Sequence, residues 1–231
     1  MEILKHCKEY PLSQYYHTVP HSLNLQDVSD ATTTPKYSMH LIEPDFKMNE
    51  YKRQLLLRNY ETGNTGAILI IDIISIWRQT LEETRFANIK YWYVNSKEIS
   101  TIEGLICFLG RVNANPIVTL NKECPIRYGT NAADCSLDGI IIDNLSYLNT
   151  SDDFKSFNIL KNMISNIQKA FGCWYISTSL NLEFSQGIEH SFYPKPIVPY
   201  TNYTAFPSNY LNDMNIVMVR DSATHSKLIK N

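Results

Sequence analysis

Glycine is scarce in this chain, with only eight among 231 residues, at positions 63, 66, 104, 110, 129, 139, 172 and 187. That scarcity excludes two nucleotide-binding signatures. A phosphate loop of the form G-x-x-x-x-G-K-[ST] needs bare backbone N–H groups against phosphate, a lysine for the β and γ oxygens and a hydroxyl for Mg²⁺. No glycine here precedes a lysine, and no two have that spacing. The dinucleotide-binding turn G-x-G-x-x-G is missing as well.

An excess of positive charge is also lacking. Lys and Arg number 21 against 23 Asp and Glu, for a net charge of −2. No global field draws this chain to nucleic acid or to an acidic membrane, so any such contact needs a local patch or a partner chain. The cysteines (7, 107, 124, 135 and 173) form no C-x-x-C pair and are odd in number. The opening MEILKHCKEYPL has no apolar signal-type core. Reduced intracellular thiols are the expectation, with Cys107 and Cys173, in apolar runs, as small core residues. The longest apolar run, AILIIDIISIW, is broken by Asp72 and too short to span a bilayer, so a soluble protein is expected. The six histidines show no metal-ligand spacing, which argues against zinc or a catalytic triad.

An α/β pattern is what the chain does contain. Residues 1 to 38 read as a turn-rich lead-in, with a short strand near Ile3–Leu4, and residues 39 to 231 as the core of a single domain. MHLIE (39 to 43) is a short strand, and NEYKRQLLLRNYE a helix with Asn49 as its candidate N-cap. GAILIIDIISIW (66 to 77) is a continuous β-branched run, the mark of a parallel strand covered on both faces. YWYVN (91 to 95) is a further strand. STIEGLICFLGRV carries Ser100-x-x-Glu103 as a capping box, with Ile102, Leu105, Ile106 and Leu109 at helical spacing.

Residues 113 to 137 read as a polar insertion, with Lys122 and Arg127 on a solvated surface. GIIIDNLSYL (139 to 148) is a second buried strand. FKSFNILKNMISNIQKAF is an amphipathic helix that aligns Phe154, Phe157, Leu160, Ile164, Ile167 and Phe171, stopped by Gly172. CWYISTSL is a third buried strand. Residues 181 to 209 have no periodicity, and NIVMVR with KLIKN forms a terminal antiparallel hairpin. Strands alternating with helices give right-handed crossovers and a mostly parallel sheet.

This order of elements resembles the RecA-like strand-exchange recombinases over about residues 40 to 228. That resemblance implies a strand, a phosphate loop and helix, a strand with a catalytic glutamate, an Mg²⁺-aspartate strand and a sensor strand. The site it implies is degenerate. Where the phosphate loop belongs, the chain reads PDFKMN, and Asn49 and Glu50 take the places of its Lys and Thr. Asp45 and Glu50 would repel a triphosphate. No glutamate stands near Ile73–Ile74, and about Ser179 replaces the glutamine that senses the γ-phosphate. Asp143 alone matches, and an aspartate alone does not hold ATP, so a structural role in the neighbouring loop is expected for it.

MEILKHCKEYPLSQY, ILIIDIISIW, GIIIDNLSYLN and FGCWYISTS, followed by Phe184, Gly187, Ile188 and Glu189, resemble the platinum-sensitivity subunits of the fungal Shu complex, recombinase paralogues without nucleotide chemistry. The resemblance runs nearly end to end. It implies a nuclear, non-enzymatic protein with no cofactor, in a heterodimer with a second RecA-like Shu subunit and in contact with further Shu subunits and the strand-exchange recombinase. It also implies binding of single-stranded, forked or overhanging DNA through the complex, to promote filament assembly in homologous recombination and error-free post-replication repair.

Two loops at the carboxyl ends of the central strands are then expected to face DNA. The first, YLNTSDD (147 to 153), has two carboxylates and no base, and Asp152 or Asp153 suits a helix N-cap. The second is the segment after residue 180, where Lys195, His190, Tyr193 and Tyr200 are the candidate contacts. Its aromatic rings suit stacking on bases. The basic cluster of the family's loop is here PKPIVPY, with Lys195 its remaining base. Two alternatives stand beside DNA binding. One is an interaction module that leaves DNA to its partner. The other is a small α/β enzyme using Asp72 or Asp143 at strand ends, where such folds place active sites.

Overall fold

A computed structural model describes residues 38–43, 66–82, 89–97, 99–124, 126–128, 135–148, 154–180, 206–220 and 226–230. In chain order the elements are β1 (Ser38–Glu43), β2 (Ala67–Asp72), helix α1 (Trp77–Leu81), β3 (Tyr91–Asn95), α2 (Ile102–Ala114), α3 (Pro116–Glu123), β4 (Ile126–Tyr128), β5 (Leu137–Asp143), a 3₁₀ turn (Leu145–Tyr147), α4 (Phe154–Phe171), β6 (Trp174–Leu180), α5 (Ser208–Asn212), β7 (Ile216–Arg220) and β8 (Ser226–Lys230).

The described strands form one sheet in the order β4-β3-β2-β5-β6-β1-β7-β8. The six inner strands run parallel; β4 lies antiparallel to β3, and β8 antiparallel to β7. The mostly parallel α/β sheet and the antiparallel C-terminal hairpin agree with expectation. β1 sits between β6 and β7, and the Asp143 strand β5 sits between β2 and β6.

Side-chain alternation on buried strands divides the core in two. Along β2, Leu69 and Ile71 join one cluster, while Ile68 and Ile70 join the other. The first cluster takes the stripe Ile102, Leu105, Phe108, Leu109 and Val112 of α2 and the stripe Phe157, Leu160, Ile164, Ile167 and Phe171 of α4. Trp77 and Leu81 of α1 pack on the opposite face. Each such large side chain contributes roughly 1.5–3 kcal/mol by leaving water. Gly172 ends α4 at φ 68°, a left-handed conformation that suits glycine.

Several local expectations are corrected. The β2 strand does not run through to Trp77. It stops at Asp72, whose carboxylate accepts from the N–H groups of Ile76 and Trp77 and turns the chain into α1. The cap of α2 is Thr101, one residue after Ser100; its hydroxyl accepts from Gly104 N at 3.0 Å. Cys107 is exposed on the outer side of α2, whereas Cys173 is buried as expected. Ile106 is only partly buried.

The stretch 113 to 137 is not a plain insertion. It holds α3, capped by Asn115 with Pro116 in its first turn, and the edge strand β4. Helix α5 (Ser208–Asn212) begins inside the stretch 181 to 209 that reads as aperiodic. The expected strand at Ile3–Leu4, the helix at 49 to 61 and the caps at Asp152 and Asp153 lie outside the described residues. No helix among the described residues is long and apolar enough to cross a membrane.

Candidate functional site

The carboxyl ends of β2 and β5 place Asp72 and Asp143 side by side in register. Both are fully buried. Asp143 accepts the indole N–H of Trp77 at 2.7 Å through Oδ2 and the hydroxyl of Thr178 at 2.6 Å through Oδ1. Asp72 accepts from Ile76 N at 3.1 Å through Oδ1, and through Oδ2 from Trp77 N at 2.7 Å and the Tyr93 hydroxyl at 2.9 Å. Burial pushes the Asp72 carboxyl up from its ordinary value. The bonds from Tyr93, Trp77 and Ile76 pull it down, and the neighbouring Asp143 raises it.

This is a carboxylate pair held by donors from three elements. Each Asp143 oxygen points at a protein N–H or O–H rather than into open space. Both Asp143 oxygens already accept a buried donor, so a Mg²⁺ ion would have to enter an enclosed site and share the carboxylate with Trp77 and Thr178. Ile73 and Ile74, near which the resemblance implies a glutamate, lie in the turn after β2, with Ile73 buried. Neither residue supplies a general base.

Ser179 of β6 faces a second buried network. His40 of β1 lies with Nδ1 2.7 Å from Ser177 Oγ and Nε2 2.8 Å from Ser179 Oγ. Tyr210 of α5 donates to Ser177 Oγ at 3.0 Å and shares a 2.7 Å bond with the Tyr175 hydroxyl. Phe206 meets the His40 ring edge-on at 5.2 Å between centroids. Burial lowers the His40 imidazole to about 3 and pushes Tyr210 up to about 12, so the network is uncharged near neutral pH. Beside it, Ser146 Oγ accepts from Leu180 N at 2.8 Å and ties the turn after Asp143 to the end of β6.

Of the residues singled out in the sequence, the structure places Asp143 and Ser179 on adjacent strands of this edge. Asn49, Glu50, His190, Tyr193, Lys195 and Tyr200 lie outside the described residues. Sequence reasoning did not find His40, Trp77, Tyr93 or Thr178. The one available signal was local: Asp72 stands four and five residues before the backbone groups it caps. The other partners are brought together only by strand pairing.

A family model described as Shu complex component Psy3, DNA-binding, matches residues 7–223. The chain belongs to the Psy3 family of Shu complex components. Platinum sensitivity protein 3 of Saccharomyces cerevisiae is 31% identical over 238 residues, covering 96% of this chain and 93% of its own length. Two solved structures also align with the chain. A KaiC-like protein from Pyrococcus horikoshii OT3 has 11% identity and a TM-score of 0.47, over 91% of this chain and 84% of its own. The flagellar accessory protein FlaH from Methanocaldococcus jannaschii has 11% identity and a TM-score of 0.47, over 92% and 88%. As a Psy3-family chain, the protein has other Shu subunits as its partners.

Proposed function

We propose that this chain is a non-catalytic subunit of a nuclear Shu-type heterodimer, in which a single RecA-like domain over residues 1–231, with a lead-in at 1–38 and its core at 39–231, pairs with a second RecA-like subunit. The pair binds single-stranded, forked or overhanging DNA and promotes assembly of the strand-exchange recombinase filament in homologous recombination and error-free post-replication repair. The observation that carries the non-catalytic part is the missing G-x-x-x-x-G-K-[ST] sequence. The enclosed Asp143 carboxylate, held by Trp77 and Thr178, supports it. Without nucleotide chemistry, what such a fold offers is shape. A recombinase-like surface of about 1,000 Å² or more suffices for a persistent pair.

Within this reading, Lys195, His190, Tyr193 and Tyr200 are the DNA contacts of the chain. Titration of the purified heterodimer with a fluorescent ATP analogue and Mg²⁺ tests the first part; no saturable binding to this chain is expected, and tight Mg²⁺-dependent binding would overturn it. Lys195→Glu tests the second. The acidic residues Glu183 and Glu189 near Lys195 favour the alternative of a scaffold whose partner makes every phosphate contact. DNA affinity of the heterodimer unchanged by Lys195→Glu would select that alternative.

A further inference from the structure

Helices α2 and α4 pack side by side over the first core cluster, and the outer side of their seam is apolar and partly open. Gly110 of α2 faces Met163 of α4, so that an added Cβ would lie 3.7 Å from the Met163 Cε. Met163 and Ile106, the latter one turn before Gly110, are only partly buried. Ile159, one turn before Met163, is 49% exposed, and Cys107, three residues before Gly110, is exposed as well. The floor of this seam has no side chain at Gly110.

Gly110 is the residue that needs a reason. Within a helix glycine is less favourable than alanine, and here a methyl group would sit at ordinary contact distance. Packing inside the chain does not ask for a glycine; close approach of another backbone does. Charge says what kind of chain approaches. The segment Phe154–Phe171 carries Lys155, Lys161 and Lys169 and no Asp or Glu. Lys161 is paired with Asp213 at 2.7 Å, whereas Lys155, one turn before Ile159, and Lys169 are exposed. On α2, Arg111 pairs with Glu123, and Glu103 is the one acidic side chain of the two helices. An incoming surface therefore meets apolar groups bordered by lysine.

We propose that the α2–α4 seam is a docking surface for an acidic amphipathic helix of another Shu subunit. Its apolar side packs on Ile159 and Met163, its backbone comes close at Gly110, and its carboxylates face Lys155 and Lys169. Two packed helices leave a groove into which the ridge of a third can fit, and the lysine border selects its charge and direction. The identity of the occupant rests on the Shu partnership described above.

A photoreactive benzoylphenylalanine in place of Ile159, in the Shu complex assembled from its co-expressed full-length subunits, tests the surface. The expected crosslink joins this position to an Asp- and Glu-rich helix of another subunit. Ile159→Asp is expected to weaken binding of that subunit by about tenfold, and Lys155→Glu to weaken it and reduce its salt dependence. Gly110→Ala separates docking from folding: it is expected to weaken the same binding without lowering the thermal midpoint of the full-length chain. An assembled complex with no crosslink from position 159 overturns the proposal. So does a crosslink to a basic segment, to an added oligonucleotide or to a second copy of this chain, or binding that Ile159→Asp leaves unchanged. In those cases the heterodimer reading stands, since the complex has formed; a complex that never forms overturns both.

Discussion

The indole of Trp77 donates to the Asp143 carboxylate at 2.7 Å, from a helix whose own first N–H is held by the neighbouring Asp72. Two strand-end aspartates are thus joined through one tryptophan, backbone to one and side chain to the other. Trp77→Phe keeps most of the apolar contact and deletes the donor. It is expected to lower unfolding stability by roughly 1–3 kcal/mol in urea titration, because the buried Asp143 carboxylate loses one of its donors. It is not expected to create Mg²⁺-dependent nucleotide binding.

His40 predicts an acid limb. Its folded-state value is about 3 against 6.5 for the free side chain. Between those values the unfolded chain holds the proton and the folded chain does not. Stability is fully present above pH 6.5 and is expected to fall as the pH drops below it, by roughly 1.4 kcal/mol per unit. Denaturation midpoints measured from pH 8 to about pH 4 should show that slope, and His40→Phe should lose it.

Asp72 acts in the opposite sense. Burial raises its folded value above 3.8, so the folded chain is the one that holds the proton more tightly. Its contribution is most favourable at low pH and is lost as the pH rises from 3.8 through the raised value. The stability of the wild type relative to Asp72→Asn is therefore expected to fall with rising pH across that window, whatever constant offset the lost helix cap adds. A flat difference would contradict the assignment.

Gly139 on β5 faces the Trp174 indole of β6 so closely that an added Cβ would lie only 2.1 Å from its Cε2. Gly139→Ala is expected to cost about 1–3 kcal/mol or more by overpacking, with thermal unfolding as the readout. Trp174 is fully enclosed in the second core cluster and has little room to shift.

The fold was legible where one physical signal ruled a whole element. β5 and β6 read as buried parallel strands because their β-branched and aromatic runs need cover on both faces, and α4 read as a helix from its apolar stripe. The end of β2 was not legible, since IISIW continues the apolar run and only the Asp72 carboxylate turns the chain. The helix α3 was hidden by its polar composition and betrayed only by Asn115-Pro116, a cap followed by a first-turn proline. Asp143 could be picked out from its strand, but its partners Trp77 and Thr178 lie 66 and 35 residues away and meet it only once the sheet has formed. His40 escaped notice for the same reason: an isolated histidine in an apolar strand carries no local mark of the two serines 137 and 139 residues downstream.

Among the described strands, the two outermost set how another chain can extend the sheet. β4 offers three residues and β8 five, and each runs against its inner neighbour. The short ladder at the β4 margin gives a foreign strand little length to grip, one of the devices by which proteins discourage runaway stacking of copies. The β8 margin, with five residues, is the longer of the two described edges.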